Sequence, residues 1–147
     1  MLDIADVRAA IESRLALIPS GIPALVFFDN EELDPDPNVS YLTVSVRHLT
    51  HTVDTFAVSN GHATDTGRVI FTVYQPNGTG TAAFDACMLA LRTYFASGTT
   101  LAAGSDAITV SRNPGPFPGN ITRLDAGASY QQLTVPWYAL VRTTVVA

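Results

Sequence analysis

Lysine is missing from this chain altogether, and its eight basic residues are all arginine. Charged residues fill only 14% of 147 positions, against roughly 25% in an average soluble domain. The formal net charge is −5 and the pI near 4.9. With no basic stripe, a neutralising grip on phosphate backbones is excluded. With no lysine, so is a Walker-type phosphate loop. A surface this poor in charge suits a protein that hides part of itself against other subunits.

Cysteine occurs once, so no internal disulfide framework exists. Cys87 stands in an apolar helical run and reads as a buried thiol rather than a nucleophile. No apolar stretch approaches the ~18 residues of a membrane span. The opening "MLDIADVRAAIESRL" carries acids where a secretion signal needs basic and then apolar residues. There is no G-x-S-x-G elbow. Neither an internal repeat nor a dividing linker appears, so residues 1–147 are read as a single domain.

What is present is 47% hydrophobic residues in two distinct periods. Ile4, Val7, Ile11, Leu15 and Ile18 share one face at helical spacing, with Asp3 as the cap and Pro19 and Gly21 as the stop. "ALVFF" (24–28) reads as a short apolar strand. "VSYLTVSVR" (39–47) alternates, with Leu42, Val44 and Val46 on one side, and "RVIFTVY" (68–74) returns with Val69, Phe71 and Val73 inward. The polar stretch between them, 48–67, reads as the tip of an extended hairpin, with Asn60-Gly61 as its turn. A second helix spans about Ala82 to Ala96 and is stopped by Ser97-Gly98. "AITVSR" (107–112) and "YQQLTVPWYALVRTTVV" (130–146) are further strands. Pro136 requires the last to bend, bulge or lie on an edge. The order α-β-β-β-α-β-β predicts an α+β fold: a mixed, largely antiparallel sheet of about five strands, backed by two helices and carrying a long β-hairpin. The expected core holds Ile11, Leu15, Val44, Phe71, Val73, Phe84, Met88, Leu91 and Trp137.

Four groupings invite a chemical reading. Gly78-Thr79-Gly80-Thr81-Ala82-Ala83 fits G-x-G-x-x-[GA] between a strand and a helix. A dinucleotide fold, however, needs a continuous apolar parallel strand before the loop and an acid closing the next strand. Here the strand is half polar and Asp106 precedes the next one. The loop is therefore read as a connector, with Thr79 or Thr81 capping the helix. His48, His51 and His62, with Asp54 and Asp65 nearby, have the composition of a zinc site. On a regular strand, though, positions 48 and 51 point to opposite faces. Ser59, His62 and Asp65 make a chance Ser/His/Asp set in a polar loop. Asp29, Glu31, Glu32, Asp34 and Asp36 crowd a proline-rich loop with no apolar setting to raise a pKa, so a solvated acidic loop outweighs acid–base work. Trp137 and Tyr138 serve either an interface or the core.

Taken together, "IADVRAAIESRLALIP", "YLTVSV", "GRVIFTVYQPNGTGTAAFDACMLALRTYF" and "YQQLTVPWYALVRTTVV" resemble the tail terminator proteins of long-tailed phages over nearly the full length. The carrying motifs are architectural, and the segment 48–66 has no counterpart that can be placed. The resemblance implies a structural virion protein, without enzymatic activity or cofactor. It would form a homo-hexameric ring on the head-proximal end of the tail tube, at the head–tail junction, after assembly in the host cytoplasm. Its partners would be copies of itself, the tail tube protein and a head-completion or neck protein. DNA would pass through the ring without specific binding, and no membrane is involved. On that reading Asp29, Glu31, Glu32, Asp34 and Asp36 would face the channel, and a hairpin carrying Arg47, His48, His51, Phe56 and Arg68 would reach a neighbouring subunit. The alternatives are a neck or minor tail protein and, in another class, a small metal- or nucleotide-binding enzyme.

Overall fold

The structure is a computed structural model that describes residues 2–29, 38–53, 61–124 and 127–143. Its elements run α1 (Ile4–Leu15), β1 (Leu25–Phe28), β2 (Tyr41–Val53), β3 (Gly61–Pro76), α2 (Ala82–Tyr94), β4 (Thr100–Ala103), β5 (Asp106–Val110), β6 (Phe117–Pro118), β7 (Thr122–Arg123) and β8 (Ala128–Thr143). The strands form one eight-stranded sheet in the order β1-β2-β3-β8-β5-β4, with β6 and β7 pairing along β8. Among the described residues, only the β1–β2 pairing is parallel and the other pairings are antiparallel.

The α+β class and the two backing helices match the expectation, while the strand count does not. β4, β6 and β7 are the additions. β4 is four residues, "TLAA", and β6 and β7 are two each. They exist because β5 and β8 offer them a ladder, not because their own residues favour strands. β2 and β3 also run further than expected, to Val53 and from Gly61, so the polar stretch 48–67 is mostly paired strand.

Helix ends follow local chemistry. Asp3 caps α1, its carboxylate accepting from Ala5 N at 2.9 Å. α1 stops at Leu15 rather than Ile18, because the residue before Pro19 is kept out of the helical region. The chain tightens instead, with Leu17 N donating to Arg14 O and Ile18 N to Leu15 O, and Ile18 still reaches the core. α2 ends at Tyr94, and Gly98 at φ +86° lets the chain turn so that Gly98 N donates to Val110 O. Arg14 bonds the carbonyl of Tyr94 at 2.9 Å and lies over its ring, which ties the first helix to the end of the second. Neither threonine caps α2 through its side chain. Thr81 holds the capping position without a side-chain bond, and the Thr79 hydroxyl donates back to Pro76 O.

Both helices lie on one side of the sheet. Val7, Ile11, Leu15, Phe84, Cys87 and Leu91 meet Leu42, Val44, Val46, Val69, Phe71, Val73, Leu133, Val135 and Trp137 there. Every residue of the expected core is buried. The period-2 alternation of β2, β3 and β8 sets this register, and each large apolar side chain so buried contributes roughly 1.5–3 kcal/mol. β8 is interior to the sheet, yet it contains Pro136. The carbonyl of Pro136 accepts from Ser111 N, on the flank where β5 pairing has ended at Trp137 and β6 pairing begins at Thr134. The missing N–H therefore falls in a gap in that flank, a local edge inside a central strand.

Candidate functional site

The hairpin β2–β3 carries Arg47, His48, His51, Asp65 and Arg68, all singled out in the sequence, and it sorts them by face. Val46 pairs with Val69 and both are core residues, so His48, opposite Gly67, also faces the helix side. A β-bulge between His48 and Thr50 then inserts one residue and resets the alternation. His51 consequently pairs with Asp65 on that same face. The expectation that positions 48 and 51 face opposite ways is thus overturned, because it assumed an unbroken strand.

The result is a small polar knot. The two imidazoles converge on a single atom, Asp65 Oδ1, with His48 Nε2 at 3.0 Å and His51 Nδ1 at 2.6 Å. Asp65 is 2% exposed, whereas the histidine side chains are 42% and 38% exposed. A carboxylate so buried must have its charge met by donors, and these rings supply them. His48 also lies nearly parallel to the indole of Trp137, 6.3 Å between centroids. Gly67 makes this overlap geometrically available. A Cβ there would come within 2.2 Å of Trp137 Cζ2 and of the Arg47 carbonyl oxygen. The absent side chain is the space that the indole occupies. Beside the ring lies an open cleft of about 530 Å³, lined by Leu2, Asp3, Ile4, His48 and Trp137.

The knot is not arranged as a reactive centre. Both ring nitrogens nearest the carboxylate are spent on one oxygen. Among the described residues no group of three His, Cys, Asp or Glu is placed to hold a metal ion. Ser59, Asp54 and Phe56 lie outside the described residues, and His62 is described only by its backbone, paired with Arg142. Burial pushes the Cys87 thiol up to about 12, which leaves it protonated and unreactive at neutral pH. The glycine loop follows a strand paired antiparallel on both flanks, so no parallel β-α-β unit surrounds it. Gly78 and Gly80 are there for their backbone angles, φ +87° and +75°.

The other side of the sheet is bare of helices among the described residues. Tyr41, Tyr74 and Tyr130 stand side by side across β2, β3 and β8, the first two stacked at 4.4 Å and 10°. Burial, and secondarily the neighbouring phenol, raises the ionisation of Tyr41 and Tyr74 above the usual tyrosine range. Further along, Arg47 pairs directly with Arg68, both exposed. Asp29, alone of the acidic loop, is described. Its carboxylate accepts from Val46 N at 2.9 Å, where β1 has run out, and stands 3.7 Å from Arg8 Nε. It therefore closes an open backbone group on the sheet edge, a role that its sequence neighbours did not reveal. Glu31, Glu32, Asp34 and Asp36 lie outside the described residues.

The described residues thus form a two-helix, one-sheet α+β unit with one sheet face bare of helices. The family comparison makes this specific. The sequence profile described as phage tail terminator protein matches residues 6–136, and the chain belongs to that family. No curated protein matches the chain by sequence. Among solved structures, one without a stated function is similar with a TM-score of 0.71 at 20% identity, covering 99% of this chain and 100% of its own. A chain from the virion of a native gene transfer agent particle is similar with a TM-score of 0.57 at 15% identity, over 93% of this chain and 95% of its own. At these identities the two structures establish the shared fold. Family membership makes the protein a structural component of the phage tail.

Proposed function

We propose that copies of this protein close into a ring on the head-proximal end of the tail tube. The ring stops tube polymerisation and presents a docking face to the neck. The observation that carries this reading is the family match, which spans both helices and the sheet from α1 into β8. The likeness to a chain of a gene transfer agent virion supports it, since that chain comes from an assembled particle. On this reading the hairpin of β2 and β3 meets a neighbouring copy, and the acid-rich stretch 29–36 turns toward the channel, where carboxylates repel passing phosphates. Such a subunit works through shape and adhesion, not turnover.

Electron microscopy of tails assembled with and without the protein tests the role. Tubes of uniform length with it and overlong tubes without it are expected. Uniform length in its absence would overturn the proposal.

A further inference from the structure

The sheet ends in two open edges. On one side β1 stops at Phe28, and the Asp29 carboxylate closes Val46 N just beyond it. From His48 to Val53 the outer edge of β2 then has no partner among the described residues. On the other side β4 is the terminal strand, and its outer edge is equally free there. Natural sheet edges are usually blunted by proline, by charge or by a cover. Neither "THTV" (50–53) nor "TLAA" (100–103) contains a proline or an acid.

The two edges match in direction, level and phase. β2 is antiparallel to β3 and β3 to β8, while β8 is antiparallel to β5 and β5 to β4, so β2 and β4 run the same way. One row of paired residues joins them: Thr50, Thr66, Tyr138, Thr109 and Thr100. Thr50 and Thr100 therefore stand level on opposite edges, both exposed. Val110 N donates to Thr99 O, so alternation along β4 turns the N–H and C=O of Thr100 and Ala102 outward. On β2, Val46 N points outward to Asp29, and the bulge after His48 passes that phase to His51 and Val53. A parallel ladder needs this phasing. With Thr50 of one copy level with Thr100 of another, His51 N–H meets Thr100 O, Ala102 N–H meets His51 O, and Val53 N–H meets Ala102 O.

We propose that β4 of one copy pairs in parallel with β2 of the next, Thr100 beside Thr50, so that the sheets of neighbouring copies run on without a break. The occupant follows from the edges themselves, since each supplies the direction, level and backbone phase that the other lacks. Because the two threonines stand level, the contact adds no rise along the strands, and a head-to-tail contact without rise closes into a ring instead of winding into a filament. Side chains favour the same register. Thr50 Oγ1 already lies 2.5 Å from Thr66 Oγ1, and Thr100 Oγ1 lies 3.4 Å from Thr109 Oγ1. The joint would make one row of four threonines, a favourable cross-strand set. A cleft of about 380 Å³ between α1 and β4, lined by Ala9, Ala10, Ser13 and Ala102 among others, leaves room on the helix side for the incoming His51. The inference rests on the ring reading above and names the strands that would close the ring.

Disulfide trapping tests it, with Thr50→Cys and Thr100→Cys in one chain. Within a copy the two positions are four strand spacings apart, about 19 Å, and a disulfide needs Cα atoms within about 7 Å. The native Cys87 is buried and does not compete. Both threonines are exposed, and thermal melting verifies folding. Oxidation of concentrated protein, and of protein loaded on purified tail tubes, should give a ladder of linked multimers. Each single-cysteine variant should give at most dimers, and Thr50→Cys with Ala102→Cys should link at least about tenfold more slowly, being two residues out of register. Ala102→Pro is the second arm. It removes an outward N–H and no bond to β5, so the fold should survive while association weakens at least about tenfold in sedimentation. The inference is overturned if the Thr50/Thr100 pair links no faster than the shifted pair, or if either single variant links to itself as readily. It is equally overturned if the links join this chain to the tube protein, or if the native chain stays monomeric both free and on tubes. Uniform tubes without Thr50–Thr100 links would sink the strand pairing and leave the capping role standing. Linked multimers on tubes of uncontrolled length would sink the capping role and leave the pairing standing.

Discussion

Replacing Gly67 by alanine tests the packing of the hairpin against β8 most directly. The added methyl would lie 2.2 Å from Trp137 Cζ2, 2.5 Å from Cε2 and 2.2 Å from the Arg47 carbonyl oxygen. Two of these contacts could be relieved by rotating the indole. The third is backbone of the adjacent strand and yields only if β2 and β3 separate. Overpacking in a core costs about 1–3 kcal/mol. Trp137 is 2% exposed and would lose buried area as it moves, so a loss of about 3 kcal/mol is expected. Unfolding entropy of about 2.1 cal/mol/K per residue is roughly 300 cal/mol/K for this chain, so Tm should fall by about 10 °C. Gly78→Ala serves as the control. Nothing lies within 4 Å of its added methyl, and only the left-handed backbone costs, about 1 kcal/mol. The assay is urea and thermal unfolding followed by fluorescence, and Trp137 is the only tryptophan in the chain. Its emission should shift toward longer wavelength in Gly67→Ala and not in Gly78→Ala. A Gly67→Ala protein as stable as the native one, with unchanged emission, would refute the reasoning.

Asp3→Ala removes a made capping bond and should cost about 1 kcal/mol in urea unfolding, whereas Thr81→Ala removes none and should change stability by less than about 0.5 kcal/mol. The reverse order would show that the caps are misassigned. Asp65→Asn replaces two charge-assisted hydrogen bonds by weaker ones and should cost about 1–2 kcal/mol, measured by the urea midpoint at neutral pH. Native stability in that variant would mean that the histidines do not hold the carboxylate. Cys87 should resist thiol reagents at pH 8 until the protein is unfolded. Its folded ionisation, near 12, lies above the ordinary 9.0, so its contribution to stability is fully present below pH 9 and is lost as pH rises toward 12. Pulse labelling and alkaline unfolding check both, and rapid labelling of the folded protein would contradict its burial.

The elements that could be read from residues alone are those whose signal is local and periodic. The stripe Ile4, Val7, Ile11, Leu15 and the alternation Leu42, Val44, Val46 each name a buried face without reference to any partner. β4, β6 and β7 were not legible, because four or two residues carry no period. Their strand character comes from edges supplied by β5 and β8. The histidine–aspartate knot failed for a different reason. Counting by twos is right until a bulge adds one residue, and nothing in "RHLTHTV" marks where it sits. Asp29 shows the same limit, since its link to Val46 spans 17 positions.

By itself, then, the sequence settled the class of fold, the two helices, the buried faces of β2 and β3, and a family whose pattern runs through nearly all of it. Those follow from short-range chemistry and from the burial of apolar side chains, which each residue expresses in its immediate neighbourhood. Only the tertiary structure decided that Trp137 fills the space above Gly67, that two histidines share one carboxylate, and that Arg47 and Arg68 stand directly opposite each other. Each of these joins residues through the register of separate strands, and register is a property of the assembled sheet.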